Sequence, residues 1–184
     1  MRTGLAKTVA LVGMMGAGKT AVGTAMARML DVPFLDSDAE IVAASNLSIA
    51  EIFEREGEAY FRDKESQVLA RLLSGRPCIL STGGGAFLSE RNRAEIAARG
   101  VAVWLKADLD LLWSRVRHKN TRPLLRTENP KRTLAALCDA REPLYAKAGI
   151  WVEADRRLSV EQMAQKVIGA LQERADLWDE RAVP

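Results

Sequence analysis

An α/β fold, with a parallel sheet layered between helices, is the architecture this sequence predicts. Three observations predict it. Short apolar runs alternate with long helix-like stretches along the chain, the pattern of strands joined by helical crossovers. A glycine-rich run lies where the first apolar run hands over to the first helix-like stretch. The 184 residues, 48% apolar and 28% charged, suit a single domain, 1–184, with a substantial core.

The elements follow in order. Val9–Val12 is a buried strand, and Ala21–Leu30 follows with good helix formers and no proline. Pro33–Leu35, Cys78–Ser81, Val101–Lys106 and Ile150–Glu153 are the remaining strand candidates. Ser48-Ile49-Ala50-Glu51 and Ser159-Val160-Glu161-Gln162 have capping-box spacing and open helices. The second of these helices places Met163, Val167 and Leu171 on one face. Ser89 and Asp108 are N-cap candidates for two more. The connections are expected to be right-handed crossovers. Residues 118–130 break the rhythm: they are polar, with two prolines and two arginines, as in a lid. The charged tail, 174–184, is expected to be peripheral.

Gly13-Met14-Met15-Gly16-Ala17-Gly18-Lys19-Thr20 matches the P-loop pattern in the strand–turn–helix context that the pattern requires. Glycines let backbone wrap an anion closely, and loop N–H groups with a helix N-terminus point at phosphate oxygens. Lys19 supplies a positive charge for the β- and γ-phosphates, and Thr20 a hydroxyl for Mg²⁺. A nucleoside triphosphate ligand follows.

Asp36-Ser37-Asp38 follows the second strand, at the sheet end where ligands gather. One acid can help hold Mg²⁺ and the other can orient or deprotonate an attacking hydroxyl. Alternatively, Asp38 only caps the helix starting near Ala39. Ser81-Thr82 ends the third strand, where a conventional P-loop magnesium acid would sit, so Asp36 is the better metal candidate. Gly83-Gly84-Gly85 follows at once, and three glycines favour a close approach of backbone to a ligand over a plain turn. Taken in their own segments, Arg62 and Arg141 read as surface charges on helix faces, although a guanidinium also suits a bidentate carboxylate.

Other classes are disfavoured. The net charge of +3 is modest and dispersed, which does not suggest nucleic-acid binding. No run reaches the roughly 18 apolar residues of a membrane span. The first seven residues lead straight into the first strand, leaving no room for a signal peptide, so a cytoplasmic protein is expected. Cys78 and Cys138 lack metal-ligand spacing and read as reduced, buried thiols, and His118, the sole histidine, reads as a solvated loop residue.

In this order, Gly-x-x-Gly-x-Gly-Lys-Thr, Phe34-Leu35-Asp36-Ser37-Asp38, Phe61-Arg62, Gly83-Gly84-Gly85, Arg122-Pro123-Leu124-Leu125 and Arg141-x-Pro143-Leu144-Tyr145 resemble shikimate kinase, over about Val9 to Leu171. The resemblance implies a three-layer P-loop NTPase fold like that of nucleoside monophosphate kinases. Its five-stranded parallel sheet would run in the order 2-3-1-4-5, with a substrate-binding region near 37–65 and a lid near 117–130. It implies transfer of the ATP γ-phosphoryl to the shikimate 3-hydroxyl, on the route to chorismate and aromatic amino acids, with Mg²⁺ and by a monomer. By the same resemblance, Asp38 contacts the shikimate hydroxyls and serves as base, and Arg62 and Arg141 clamp its carboxylate. Gly83, Gly84 and Gly85 line the substrate, Arg122 is the lid arginine at the phosphates, Asp36 stands near the magnesium, and Arg115 packs on adenine. One departure stands out. The family's Asp-Thr or Asn-Thr pair after the last strand is replaced by Ala154-Asp155-Arg156-Arg157, which leaves Asp155 and Arg156 as the adenine contacts.

The rival readings are another small-molecule P-loop kinase, for a sugar acid or a nucleoside monophosphate, and a non-catalytic nucleotide-binding regulator. A GTPase is disfavoured because Asn-Lys-x-Asp and Asp-x-x-Gly are both absent.

Overall fold

A computed structural model describes residues 4–119 and 123–179 of the chain. Its centre is β1, Thr8–Val12, every residue of which is buried. A parallel sheet builds outward from it in the order β2-β3-β1-β4-β5, with β2 at Phe34–Asp36, β3 at Ile79–Ser81, β4 at Gly100–Lys106 and β5 at Ile150–Glu153. This is the expected order. Val9, Leu11 and Val12 are fully inaccessible, each stabilising by about 1.5–3 kcal/mol on burial.

Boundaries shift for physical reasons. β1 starts at Thr8, not Val9, because Thr8 pairs with Gly100 and its Oγ1 accepts the Cys78 N–H at 3.3 Å. β2 lies one residue later than expected. Pro33 has no N–H to offer, though its carbonyl still accepts from Ile79. The register then places Asp36 beside Ser81.

The helices are α1 (Lys19–Leu30), α2 (Ser37–Ser45), α3 (Ile49–Glu56), α4 (Glu58–Leu73), α5 (Glu90–Arg99), α6 (Leu109–Val116), α7 (Pro130–Tyr145) and α8 (Val160–Leu171). α1 packs on α8, and α4 on α2, α3 and α5. Ser159 and Gln162 form the full capping box of α8. At α3 only half forms, Ser48 accepting from the Glu51 N–H at 3.1 Å. Ser89 and Asp108 cap α5 and α6.

Two expectations need correction. The cap of α2 is Asp36, whose Oδ1 accepts the Ala39 N–H at 3.0 Å. The helix begins at Ser37, so Asp38 lies inside its first turn and is not the cap. The tail is not peripheral through Asp179. Leu177 and Trp178 are buried, Trp178 pairs with Leu5 in an antiparallel bridge, and its Nε1 donates to the Leu171 carbonyl at 3.1 Å. Two buried apolar side chains outweigh the charges beside them, which stay on the surface as Lys7–Asp176 and Arg174–Asp176 pairs. Both cysteines are buried and free. Burial pushes both thiols up, that of Cys138 to about 11, which makes them unreactive. Among the described residues no helix is long and apolar enough to cross a membrane.

Candidate active site

In this sheet the chain crosses from β1 past β3 to β2 on one side, and from β3 past β1 to β4 on the other, so a crevice opens at the carboxyl ends of β1 and β3. A cavity of about 630 Å³ lies there. Gly16, Ala17, Gly18, Lys19 and Thr20 line one side, with Asp36, Asp38, Gly83 and Gly84 facing them.

The phosphate side comes from one continuous segment. Gly16 and Gly18 have φ of +82° and +98°, a region that side chains with a Cβ resist. Among the described residues six helices are capped by a side chain, whereas glycines leave the N-termini of α1 and α4 without one, and only that of α1 faces the cavity. That end therefore keeps N–H groups for an anion. Lys19 is buried, and its Nζ donates to the carbonyls of Gly13, at 2.5 Å, and Met14, at 3.0 Å. Gly13 is thus the back of the loop, where a Cβ would come 2.8 Å from the Leu105 carbonyl oxygen. Arg115 donates to the Gly16 carbonyl at 2.9 Å and lines the cavity.

Where the two sides meet, Thr20 Oγ1 lies 3.3 Å from Asp36 Oδ2 and 3.5 Å from Ser81 Oγ. Asp36 does two things: Oδ1 caps α2, and Oδ2 is left toward Thr20. This oxygen-only set fits Mg²⁺, which takes one or two protein oxygens and completes its shell with water and phosphate.

The acceptor side is gathered from four distant segments. Asp38 Oδ1 is buried without a hydrogen-bond partner. Burial, and then the Asp36 charge, raise the Asp38 carboxyl above its ordinary 3.8, against the opposing pull of Lys19 and Arg62. The three glycines face three different side chains. A Cβ at Gly83 would meet Asp38 Oδ1 at 2.7 Å, one at Gly84 would lie 3.5 Å from Arg141 Nη1, and one at Gly85 would meet Arg62 Nη2 at 2.5 Å. Gly83 and Gly85 are therefore bare to make room for an acid and a guanidinium group, whereas a methyl group at Gly84 would be in ordinary contact with Arg141. Arg141 is buried, and Arg62 pairs with buried Glu65 at 2.8 Å.

Some functional groups escaped the sequence reading. Ser37 Oγ accepts the Gly83 N–H at 3.1 Å, and Tyr145 donates its hydroxyl to the Gly84 carbonyl. Neither has a local signal. Glu65 did have one, an acid three residues after Arg62 on a helix. At the far end the cavity is closed by Ala154, Asp155, Leu158 and Met163. Arg157, not Arg156, binds the Asp155 carboxylate, at 2.7 Å through Nη2, and holds it well below the usual carboxylate range. Arg156 is not among the lining residues. Arg122 lies outside the described residues. Of the expected lid, Pro123–Leu125 forms a short 3-10 turn with Leu125 buried.

The shikimate kinase family model matches residues 15–172. A shikimate kinase of Ruegeria pomeroyi is 65% identical over 95% of this chain and 90% of its own length. One of Cereibacter sphaeroides is 66% identical over 95% and 87%. This chain belongs to the shikimate kinase family. It is accordingly an enzyme that phosphorylates shikimate. Among solved structures, shikimate kinase from Acinetobacter baumannii in complex with shikimate superposes with a TM-score of 0.87 at 39% identity, covering 92% of this chain and 94% of that one. A gluconokinase from Sinorhizobium meliloti, at 16% identity and a TM-score of 0.59, shares the fold alone. Shikimate kinases are ATP-dependent, and that dependence generally implies Mg²⁺.

Proposed function

We propose that this chain transfers the γ-phosphoryl of ATP to the 3-hydroxyl of shikimate with Asp38, Arg62 and Arg141 as the acceptor-binding groups. The observation that carries the assignment is the convergence of those three side chains on Gly83, Gly84 and Gly85 beside the phosphate loop. Two guanidinium groups suit the one carboxylate of shikimate. Asp38 Oδ1, buried and unpartnered, suits a hydroxyl that must be oriented and relieved of its proton.

On the other side, the N–H groups at the start of α1 hold the phosphates. Lys19, whose Nζ donates to the Gly13 and Met14 carbonyls of the loop, turns to the β- and γ-oxygens. There it offsets the charge that develops during transfer. Thr20 and Asp36 would hold Mg²⁺, which would supply neutralisation of phosphate charge. Holding donor and acceptor at adjacent strand ends accounts for much of the catalysis, since phosphoryl transfer needs positioning more than covalent help. A monomer acting on small molecules alone completes the reading.

The test is ADP release from ATP·Mg²⁺ with and without shikimate. Turnover that requires shikimate supports the assignment. ATP binding without such turnover, and turnover with gluconate or a nucleoside monophosphate instead, would overturn it.

A further inference from the structure

Tyr145 has no place in the reaction as described, yet it sits where the two sides of the site meet. Its ring is fully buried, 6.0 Å from that of Trp104 on β4. Its hydroxyl donates to the Gly84 carbonyl at 2.5 Å and lies 3.8 Å from Met14 Sδ of the phosphate loop. It follows Arg141 by four residues on α7, so both point from one helix face, and both reach Gly84: Arg141 toward the Cα, Tyr145 to the carbonyl. Burial pushes the phenol above its ordinary 10.0, so the hydroxyl keeps its proton and remains a donor.

The peptide between Gly84 and Gly85 is free of side chains that could fix its orientation. Because a peptide is planar and trans, a carbonyl turned toward Tyr145 turns the Gly85 N–H the opposite way. Neither the Gly84 nor the Gly85 N–H makes a hydrogen bond to another described residue. Gly83, by contrast, is held through its N–H by Ser37 and through its carbonyl by Ala86.

Building on the acceptor assignment above, we propose that Tyr145 is a positioning residue for shikimate. Its hydroxyl locks the Gly84–Gly85 peptide so that the Gly85 N–H stands ready as a donor to the acceptor. A phenylalanine would pack as well but would leave the peptide free to rotate, and the order would have to be imposed at binding.

The experiment compares steady-state kinetics and Tm of the unaltered enzyme, Tyr145→Phe and Trp178→Phe. The last removes another buried side chain-to-carbonyl bond, Trp178 Nε1 to Leu171, outside the site. Tyr145→Phe is expected to raise KM for shikimate about five- to tenfold, the scale of one lost hydrogen bond, with KM for ATP nearly unchanged. Trp178→Phe is expected to lower Tm and leave KM for shikimate alone. An unchanged KM in Tyr145→Phe, or an equal rise in Trp178→Phe, overturns the role of Tyr145 while the functional assignment stands. Absence of shikimate-dependent turnover in the unaltered enzyme overturns the assignment itself, and the role of Tyr145 with it.

Discussion

The phosphate side and the acceptor side share one cavity and are built in opposite ways. The phosphate side is a single run, Gly13–Thr20, whose lysine is satisfied by its own loop. The acceptor side draws on α2, α4, the glycine run and α7, and it keeps buried oxygens of Asp38 and Glu65 without partners. A phosphate is much the same in every substrate, so a local backbone cradle suffices. A particular hydroxy acid has its own shape, so the groups that read it must be placed in three dimensions. Unsatisfied polar atoms are costly when buried, which marks the acceptor side as the place where a ligand completes the structure.

The sharpest way to break this division is Asp38→Asn. Removing a catalytic base typically costs about 10²–10⁴-fold, so kcat should fall by at least about 10²-fold while ATP affinity holds. Equal losses of turnover and ATP affinity would show that the two sides are not separable. The pH profile adds a check. The Asp38 carboxyl is raised above 3.8, chiefly by burial, and its ionised form is the competent one. The acid limb of kcat/KM should therefore lie above pH 3.8 and vanish in the asparagine variant.

Next in size come Arg62→Ala and Arg141→Ala. Each removes a charge-assisted contact, which should raise KM for shikimate by about 10- to 100-fold and spare KM for ATP. Normal shikimate affinity in both would eliminate the clamp. Arg62→Ala carries a stability signature as well. Burial already raises the Glu65 carboxyl above 4.5, and Arg62 opposes that rise. Without Arg62, Glu65 folds most readily when protonated. The loss in Tm should be smallest below pH 4.5 and grow as pH rises through the further-raised value.

The same contrast explains what could be read from the chain. The parallel α/β class and the phosphate loop were legible because alternation and the P-loop are patterns of neighbouring residues, whereas the sheet order came only with the resemblance, since pairing between strands distant in the chain leaves no local pattern. Asp36 and Asp38 were legible as a pair but not as individuals: only the start of α2 at Ser37 shows that Asp36 is the cap. Arg62 and Arg141 looked like ordinary surface charges until the fold brought them to Gly85 and Gly84, and only the ordered resemblance singled them out. The tail misled because its charges dominate the composition, whereas two side chains, Leu177 and Trp178, decide its docking. Tyr145 stood in the motif that begins at Arg141 but gave no signal of a role, since a buried tyrosine looks like any core aromatic until its hydroxyl is seen on a carbonyl.

The smallest effects test the glycines themselves, whose spacing alone suggested room for a ligand backbone contact. Gly85 has φ −94° and ψ −8°, and Gly84 shows no left-handed conformation, so alanine is allowed at both by the backbone. The difference lies in what the new methyl group meets. At Gly85 it would come 2.5 Å from the Arg62 guanidinium, and at Gly84 no nearer than 3.5 Å to that of Arg141. The first requires Arg62 to move and the second is ordinary contact. Gly85→Ala should raise KM for shikimate by about tenfold, the scale of one displaced charge-assisted bond. Its Tm should fall, though by less than in Arg62→Ala, because displacing Arg62 loosens its pair with buried Glu65 while alanine has less chain entropy to lose on folding. Gly84→Ala should change KM by less than about twofold, the scale of an unstrained surface contact. Equal effects at the two positions would mean that the glycines are bare for the sake of the ligand alone. A clear gap between them would mean that the acceptor side is bare to let its own arginine stand in place.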